Sequence, residues 1–471
     1  MKPFLCALAC ALWGVASSSG AARPNILFLF SDDQRADTIA VLGNRHIHTP
    51  NLDRLVREGT TFTRAYCMGA QQGAVCVPSR AMLMSGRTLF RIKENMDGLP
   101  TWPEQFGAVG YATFISGKWH NGAPSVLRSF KEGKAIFLGG MGDPYTLAGQ
   151  DITPEHKLSE KQPSGRHSVE LFADSAIEFV KRQKGGTPWV CYVPFNAPHD
   201  PRVSPAEFRE RYDAAKLPLP KNYLPQHPFN NGDMTLRDEK LAPWPRTEAV
   251  VREHLADYYG AITFMDAQIG RVLAALKESG QYERTLIVFS SDHGLAIGSH
   301  GLFGKQNLYE HSMHAPLIFA GPGIPSDKRT DAFAYLLDIG PTLYDFAGVK
   351  MPASVEGKSL VPVIMGKQTG VRDSLFTAYR HLMRAVRDDQ WKLIRYPHIN
   401  KSQLFDLKAD PDELKDLSEN AKHAGQLKRM TALLEKWQGE LGDQQALSTN
   451  TPAPMQIELK NDPAAKNKAA K

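Results

Sequence analysis

The chain has 471 residues, 42% hydrophobic and 23% charged, proportions that exclude collagen-like, coiled-coil and wholly disordered proteins. Its formal net charge is only +6, with Lys and Arg interleaved among Asp and Glu, so the electrostatic footprint of a nucleic-acid binder is missing. A chain of this length buries enough apolar surface to fold without disulfides.

At the N-terminus, Lys2 precedes an apolar run over residues 4–16, and Ala21-Ala22 stands before Arg23. This is a positive n-region, an h-region too short to span a bilayer and a small-residue cleavage site. Residues 1–22 are read as a secretory signal peptide, and the protein as exported to the periplasm or the extracellular medium, with no membrane insertion after signal removal. Losing Cys6 and Cys10 with the signal leaves Cys67, Cys76 and Cys191. An odd number leaves at least one thiol unpaired. Cys191 lies in an apolar run where cysteine acts as a small hydrophobe, and Cys67 reads the same way at a helix end.

Several apolar runs share a habit. Residues 25–30 end in Ser31-Asp32-Asp33, and residues 111–115 in Ser116-Gly117-Lys118-Trp119-His120. Residues 189–195 lead to Asn196-Ala197-Pro198-His199-Asp200, and residues 285–289 to Ser290-Ser291-Asp292-His293. Short apolar runs bounded by turn residues predict strands buried on both faces, as in a mostly parallel sheet. Helical spacing over 49–56, 168–183 and 258–279 alternates with them, which predicts an α/β fold. Ligands in such sheets bind beyond the carboxyl ends of the strands, where these Asp, Lys and His residues fall.

Residues 121–165 and 200–250 are rich in Pro, Gly and charge and read as pocket-building loops. Residues 23–366 are read as the catalytic domain. Over 367–441 the texture changes to short strands (375–379, 384–387, 391–396 and 403–407) and a helix over 421–441, a smaller C-terminal α+β domain. The stretch 442–471, poor in aromatics and rich in Ala, Lys, Asn and Pro, reads as a disordered tail.

Two features carry chemistry. Asp32-Asp33 and Asp292-His293, from two strand ends, would suit a divalent cation, since paired carboxylates are costly unless neutralised. Oxygen donors favour calcium or magnesium, and His293 is the less usual ligand for a hard ion. Cys76 opens a helical stretch with Arg80 one turn later, a positive environment that favours a thiolate nucleophile. The plainer reading is a structural free cysteine.

Cys76-Val-Pro78-Ser-Arg80 followed by Ser85-Gly86-Arg87 closely resembles the signature of the type I, formylglycine-dependent sulfatases of the alkaline-phosphatase-like superfamily. Other segments agree in order: Asp32-Asp33, Thr49-Pro50-Asn51, Gly117-Lys118-Trp119-His120, Ala197-Pro198-His199, Ser291-Asp292-His293-Gly294 and Gly304-Lys305. The resemblance runs from about residue 23 to 417. It implies a large mixed, mostly parallel sheet flanked by helices, and a sulfuric ester hydrolase. It also implies that Cys76 is oxidised to formylglycine, by a formylglycine-generating or anaerobic sulfatase-maturating enzyme, and that its hydrate attacks sulfur. By the same resemblance one calcium ion is held by Asp32, Asp33, Asp292, His293 and the modified residue 76. Cys76, Arg80, Lys118, His120, His199 and Lys305 form the catalytic set, with Lys118, His199 and Lys305 also binding substrate. His120 would hold or deprotonate the nucleophile and His199 would protonate the leaving oxygen. Two positions depart from the frequent pattern: His314, where arginine is common, and His293, where asparagine is. Trp119, Asn121, Arg202 and His300 flank the expected centre.

The favoured reading is removal of sulfate from a sulfated carbohydrate. The alternatives are a phosphodiester or phosphonate monoester hydrolase of the same superfamily, and an inactive carbohydrate-binding relative, which the filled catalytic positions disfavour.

Overall fold

The computed structural model describes residues 23–460; the signal-peptide reading falls on residues 1–22, outside them. In chain order the strands are β1 (Asn25–Ser31), β2 (Gly59–Tyr66), β3 (Gly69–Ala70), β4 (Ala112–Ile115), β5 (Glu132–Gly133), β6 (Ala148–Gly149), β7 (Gln162–Pro163) and β8 (Trp189–Pro194). They continue as β9 (Thr285–Ser291), β10 (His314–Ala320), β11 (Lys328–Tyr335), β12 (Leu375–Tyr379), β13 (Met383–Arg387), β14 (Trp391–Tyr396) and β15 (Lys401–Asp406). Eight of them form the main sheet in the order β11-β2-β10-β9-β1-β8-β4-β5. Its pairings are parallel except at β10, which runs antiparallel to both β9 and β2.

The alternation along β1 shows why this sheet is covered on both sides. Ile26, Phe28 and Phe30 enter one hydrophobic cluster, while Leu27 and Leu29 enter another on the opposite face, as the two-residue period of a strand requires. The helices Ser168–Arg182 and Glu248–Glu278 cover the Leu27 face through Phe172, Phe179, Ile269 and Leu276. The helices Cys76–Ser85 and Ile339–Ala347 contribute Met82, Leu83, Ile339 and Leu343 to the other. Burying one such side chain fully contributes about 1.5–3 kcal/mol.

Strands β2, β10 and β11 were not anticipated. β2 reads Gly-Thr-Thr-Phe-Thr-Arg-Ala-Tyr and β10 opens His-Ala-Pro. β2 is not an apolar run, and its pairing with β10 and β11 supplies the pattern that its own sequence lacks; in β10 the residues after His314 are apolar through Ala320, a run that the sequence does mark. Cys67 follows β2 rather than sitting at a helix end, and its N–H bonds Met313 O.

The C-terminal segment forms a second sheet, β15-β14-β13-β12-β3, packed by the helix Ala424–Leu441. Its last strand, β3, comes from the N-terminal part and pairs parallel with β12, so the two parts share a sheet. The expected disorder from residue 442 does not hold over 442–460. Asp443 accepts both arms of the buried Arg384 guanidinium at 2.6 and 2.9 Å, and Met455 O accepts from Asn230 N at 2.8 Å. Leu447, Ile457 and Leu459 also pack on the core, and these contacts hold a stretch whose composition alone suggests none.

Three histidines, His227 and His300 buried and His254 half-buried, give the fold a defined acid sensitivity. Burial pushes His227 down to about 4, and His254 and His300 down to about 3, from the ordinary 6.5. Below pH 6.5 the unfolded chain binds protons that the folded chain refuses. Unfolding free energy is therefore expected to fall with pH from 6.5 downward, by about 1.4 kcal/mol per unit for each histidine until its folded value is reached. Denaturant titrations of wild type and His227→Gln between pH 6.5 and 4.5 check this. An unchanged slope in the variant would remove His227 from the account.

Candidate active site

Strand register assembles the centre. Ser31 pairs with Ser291, so Asp32-Asp33 and Asp292-His293 leave adjacent strands side by side. On the other flank Phe30 pairs with Pro194, and Asp32 N donates to Ala197 O at 3.0 Å, which brings the His199 loop over the same point. Asp33 adopts a left-handed φ of 65°. That conformation is uncommon for a non-glycine residue, and here it accompanies the convergence of both neighbouring carboxylates. Gly117 closes β4 at φ 134°, where a Cβ would lie 2.0 Å from Pro194 O. Only glycine permits the approach that lets Lys118 N bond Pro194 O at 2.7 Å.

Cys76 is the first residue of the helix Cys76–Ser85, which Ser79 pins to the second acidic pair by donating to Asp292 O at 2.8 Å. Its Sγ is 3.9 Å from both Lys118 Nζ and Lys305 Nζ. Lys118 also bonds Asp32, and Lys305 spans both oxygens of Asp33 at 2.8 and 3.0 Å. Arg80 donates to Lys118 O at 2.8 Å and to Asp292 at 3.2 Å, and lies 3.6 Å from Asp32 with its guanidinium over the Phe30 ring. His199 Nδ1 bonds Asp200 O at 2.7 Å, leaving Nε2 3.8 Å from Asp33.

These charges decide the state of Cys76. Burial alone raises a thiol, as at Cys67, which burial pushes up to about 12. At Cys76 burial acts in the same direction, but Lys118 and Lys305, with bonds to His120 and His293, hold the thiol well below its usual value. A unit charge about 4 Å away is worth about 4 kcal/mol at an effective dielectric near 20. Two lysines at that range therefore outweigh desolvation.

A cavity of about 250 Å³ opens over Cys76, lined by His120, His199, Lys305, Gln306, Met141 and the segment Leu236-Arg237-Asp238, among others. The ten residues expected from sequence are thus brought together. Trp119, Asn121, Arg202 and His300 are not among the lining residues. Trp119 bonds Ser125, Asn121 holds Val77 O and Glu94 O, Arg202 bonds His254, and His300 stacks on Tyr309. Arg237, Asp238 and Met141 were missed. They sit in the two long loops, where no period or motif marks them.

A family model described as Sulfatase matches residues 24–349, and one described as N-sulphoglucosamine sulphohydrolase, C-terminal, matches 298–440. The chain belongs to the sulfatase family. Relatives of this sulfatase include an N-acetylglucosamine-6-O-sulfatase of Bacteroides thetaiotaomicron, 27% identical with 89% of this chain and 87% of that protein covered. A sulfatase of Formosa agariphila is 30% identical, covering 88% and 87%. Among solved structures, one in complex with its substrate D-glucosamine-2-N,6-O-disulfate superposes with a TM-score of 0.75 at 24% identity, covering 90% of this chain and 99% of that one. The fold is the alkaline-phosphatase-like one, and the protein is a sulfuric ester hydrolase.

The family implies a metal ion, and the residues fit one. Oxygens of Asp32, Asp33 and Asp292 lie within 4.8 Å of one another, all buried. Asp32 Oδ1 and His293 Nε2 are buried without a hydrogen-bond partner, a costly arrangement that a cation would relieve. Among the described residues no helix is long and apolar enough to cross a membrane.

Gly140 supplies a test of the site's shape. A Cβ there would stand 2.7 Å from His120 Nε2, and His120 itself is held at a left-handed φ of 70°. Gly140→Ala in this sulfatase is expected to lower kcat about 10–100-fold by displacing the ring, with the melting temperature nearly unchanged. Wild-type kcat in the variant would show that His120 is free to move without consequence.

Proposed function

We propose that this sulfatase removes sulfate from a sulfated carbohydrate, using a formylglycine formed from Cys76 and a calcium ion held by Asp32, Asp33, Asp292, His293 and residue 76. The observation that carries the reading is the placement of residue 76, at a helix start between two buried lysines and beside the three buried carboxylates. When bound, the ion supplies positive charge opposite the sulfate oxygens. When matured, residue 76 carries an aldehyde whose hydrate supplies the oxygen nucleophile.

The rest follows from this chain's own groups. Lys118 and Lys305 grip the sulfate oxygens, which gain negative charge as the ester bond breaks. Arg80 is engaged through NH1 with Lys118 O and through NH2 with Asp292 and Asp32, so it fixes the carboxylates and the strand end. His120 holds the nucleophilic hydroxyl and takes its proton. The Nδ1 bond of His199 to Asp200 O leaves Nε2 to give a proton to the departing alcohol oxygen. A cavity of about 250 Å³ with His120, His199, Arg237, Asp238 and Gln306 in its lining, and the sulfated-sugar specificity named for the Bacteroides relative and for the substrate-bound structure, favour a saccharide. Export, and maturation by a formylglycine-generating or anaerobic sulfatase-maturating enzyme, belong to the same reading.

The direct test is the mass of the tryptic peptide 65–80, from protein made alongside a formylglycine-generating enzyme. Conversion lightens it by about 18 Da. A thiol retained while a control sulfatase matures in the same cells would overturn the reading. Matched sulfate and phosphonate esters are expected to be turned over in favour of sulfate; a preference for the phosphonate would reverse the substrate assignment.

A further inference from the structure

Asp200 is buried and follows His199 directly, yet its side chain is claimed by a residue 37 positions further along the chain. Arg237 grips it with both arms, NH1 on Oδ2 and NH2 on Oδ1, the latter at 3.0 Å. The same NH2 lies 2.6 Å from Asp238 Oδ1. Asp238 Oδ2 in turn accepts from Gln306 at 2.8 Å, and Gln306 Oε1 accepts from Lys305 N at 3.0 Å. Arg237 therefore stands in an unbroken chain that runs from the His199 loop to the backbone of Lys305. On the histidine side, Asp200 offers two oxygens to His199 Nδ1: its carbonyl at 2.7 Å and Oδ1 at 3.4 Å. Burial opposes the charge on Asp200, but His199 and the Arg237 bond outweigh it and hold the carboxyl well below its usual range. A bidentate guanidinium–carboxylate pair fixes direction as well as distance.

We propose that Arg237 is a positioning residue for the reaction. Through Asp200 it holds the His199 ring so that Nε2 faces the departing alcohol oxygen. This rests on the reading of His199 as the proton donor. Arg237 also lines the cavity with its side chain 43% exposed, so simple substrate binding is the competing role, and kinetics separates the two.

A sugar alkoxide is a poor leaving group and needs the proton, whereas 4-nitrophenolate leaves without it. Arg237→Gln, Arg237→Lys, Asp200→Asn and His199→Gln are therefore compared on a sulfated monosaccharide and on 4-nitrophenyl sulfate, each variant first checked for folding by circular dichroism. Arg237→Gln is expected to lower kcat on the sugar sulfate about 10–100-fold, the cost of a misaligned donor. On the nitrophenyl ester the loss is expected to be less than about threefold. Arg237→Lys is expected not to rescue, because one ammonium cannot span both carboxylate oxygens. Combining Arg237→Gln with Asp200→Asn is expected to add little to either alone. Equal losses on both esters, or a raised KM with unchanged kcat, would overturn the proposal while His199→Gln still showed the leaving-group dependence. If His199→Gln itself lost equally on both, the proton-donor reading beneath it would fail instead.

Discussion

Cys76→Ala is expected to lower turnover by at least about 10⁴-fold while the protein keeps its fold. The size of the loss follows from removing the group on which the other proposed catalytic side chains converge, since such residues act as a unit. Retention of the fold follows from the surroundings. Lys118 and Lys305 stay paired with Asp32 and Asp33 when the sulfur is gone, and the helix Cys76–Ser85 keeps its Ser79 bond to Asp292 O. The vacated volume is that of one sulfur atom at the floor of an open cavity. Steady-state kinetics together with thermal unfolding measures both halves. Full activity would remove Cys76 from the mechanism, and a collapsed fold would make it a structural residue.

The second large effect concerns stability. Arg80 is almost fully buried and is shared by Asp32, Asp292 and Lys118 O. Arg80→Met would retain the packing on Phe30 but leave two buried carboxylates short of a partner. Removing one side of a buried ion pair costs roughly 3–5 kcal/mol, because the stranded charge stays desolvated. The variant is expected to lose that much unfolding free energy in denaturant titrations with chelator present. The loss should shrink in calcium, since an ion bound only by the folded state shares the neutralisation. Activity alone would not separate the roles, because Arg80 also holds the carboxylates proposed to bind the ion. A stability change under about 1 kcal/mol in both conditions would show that Asp32 and Asp292 do not depend on Arg80 for their neutralisation.

The two effects divide the centre into reacting and supporting parts. The lysines do double duty, each within reach of both a carboxylate and residue 76. The acidic cluster and the nucleophile are consequently one electrostatic unit, in which the positive charge that lowers the Cys76 thiol also offsets the repulsion among Asp32, Asp33 and Asp292. Arg237 lies outside this unit, and its influence passes through Asp200.

Much of this could be read from the chain alone. The runs that became β1, β4, β8 and β9 were visible because strands buried on both faces are continuously apolar, and each ended in the residues proposed to carry the chemistry. A parallel sheet turns that local fact into a shared location, so Asp32, Lys118, His199 and Asp292 could be grouped before any contact was known. What tertiary structure decided lies elsewhere. β2 is a strand through its neighbours rather than through its own pattern, and residues 442–460 are held by long-range contacts such as Arg384–Asp443. The pairing of Asp200 with Arg237 joins two residues of an unpatterned loop. Periodicity is a local property and survives in the sequence, whereas an ion pair closed by the folding of a loop has no period and exists only once the backbone has brought its two ends together.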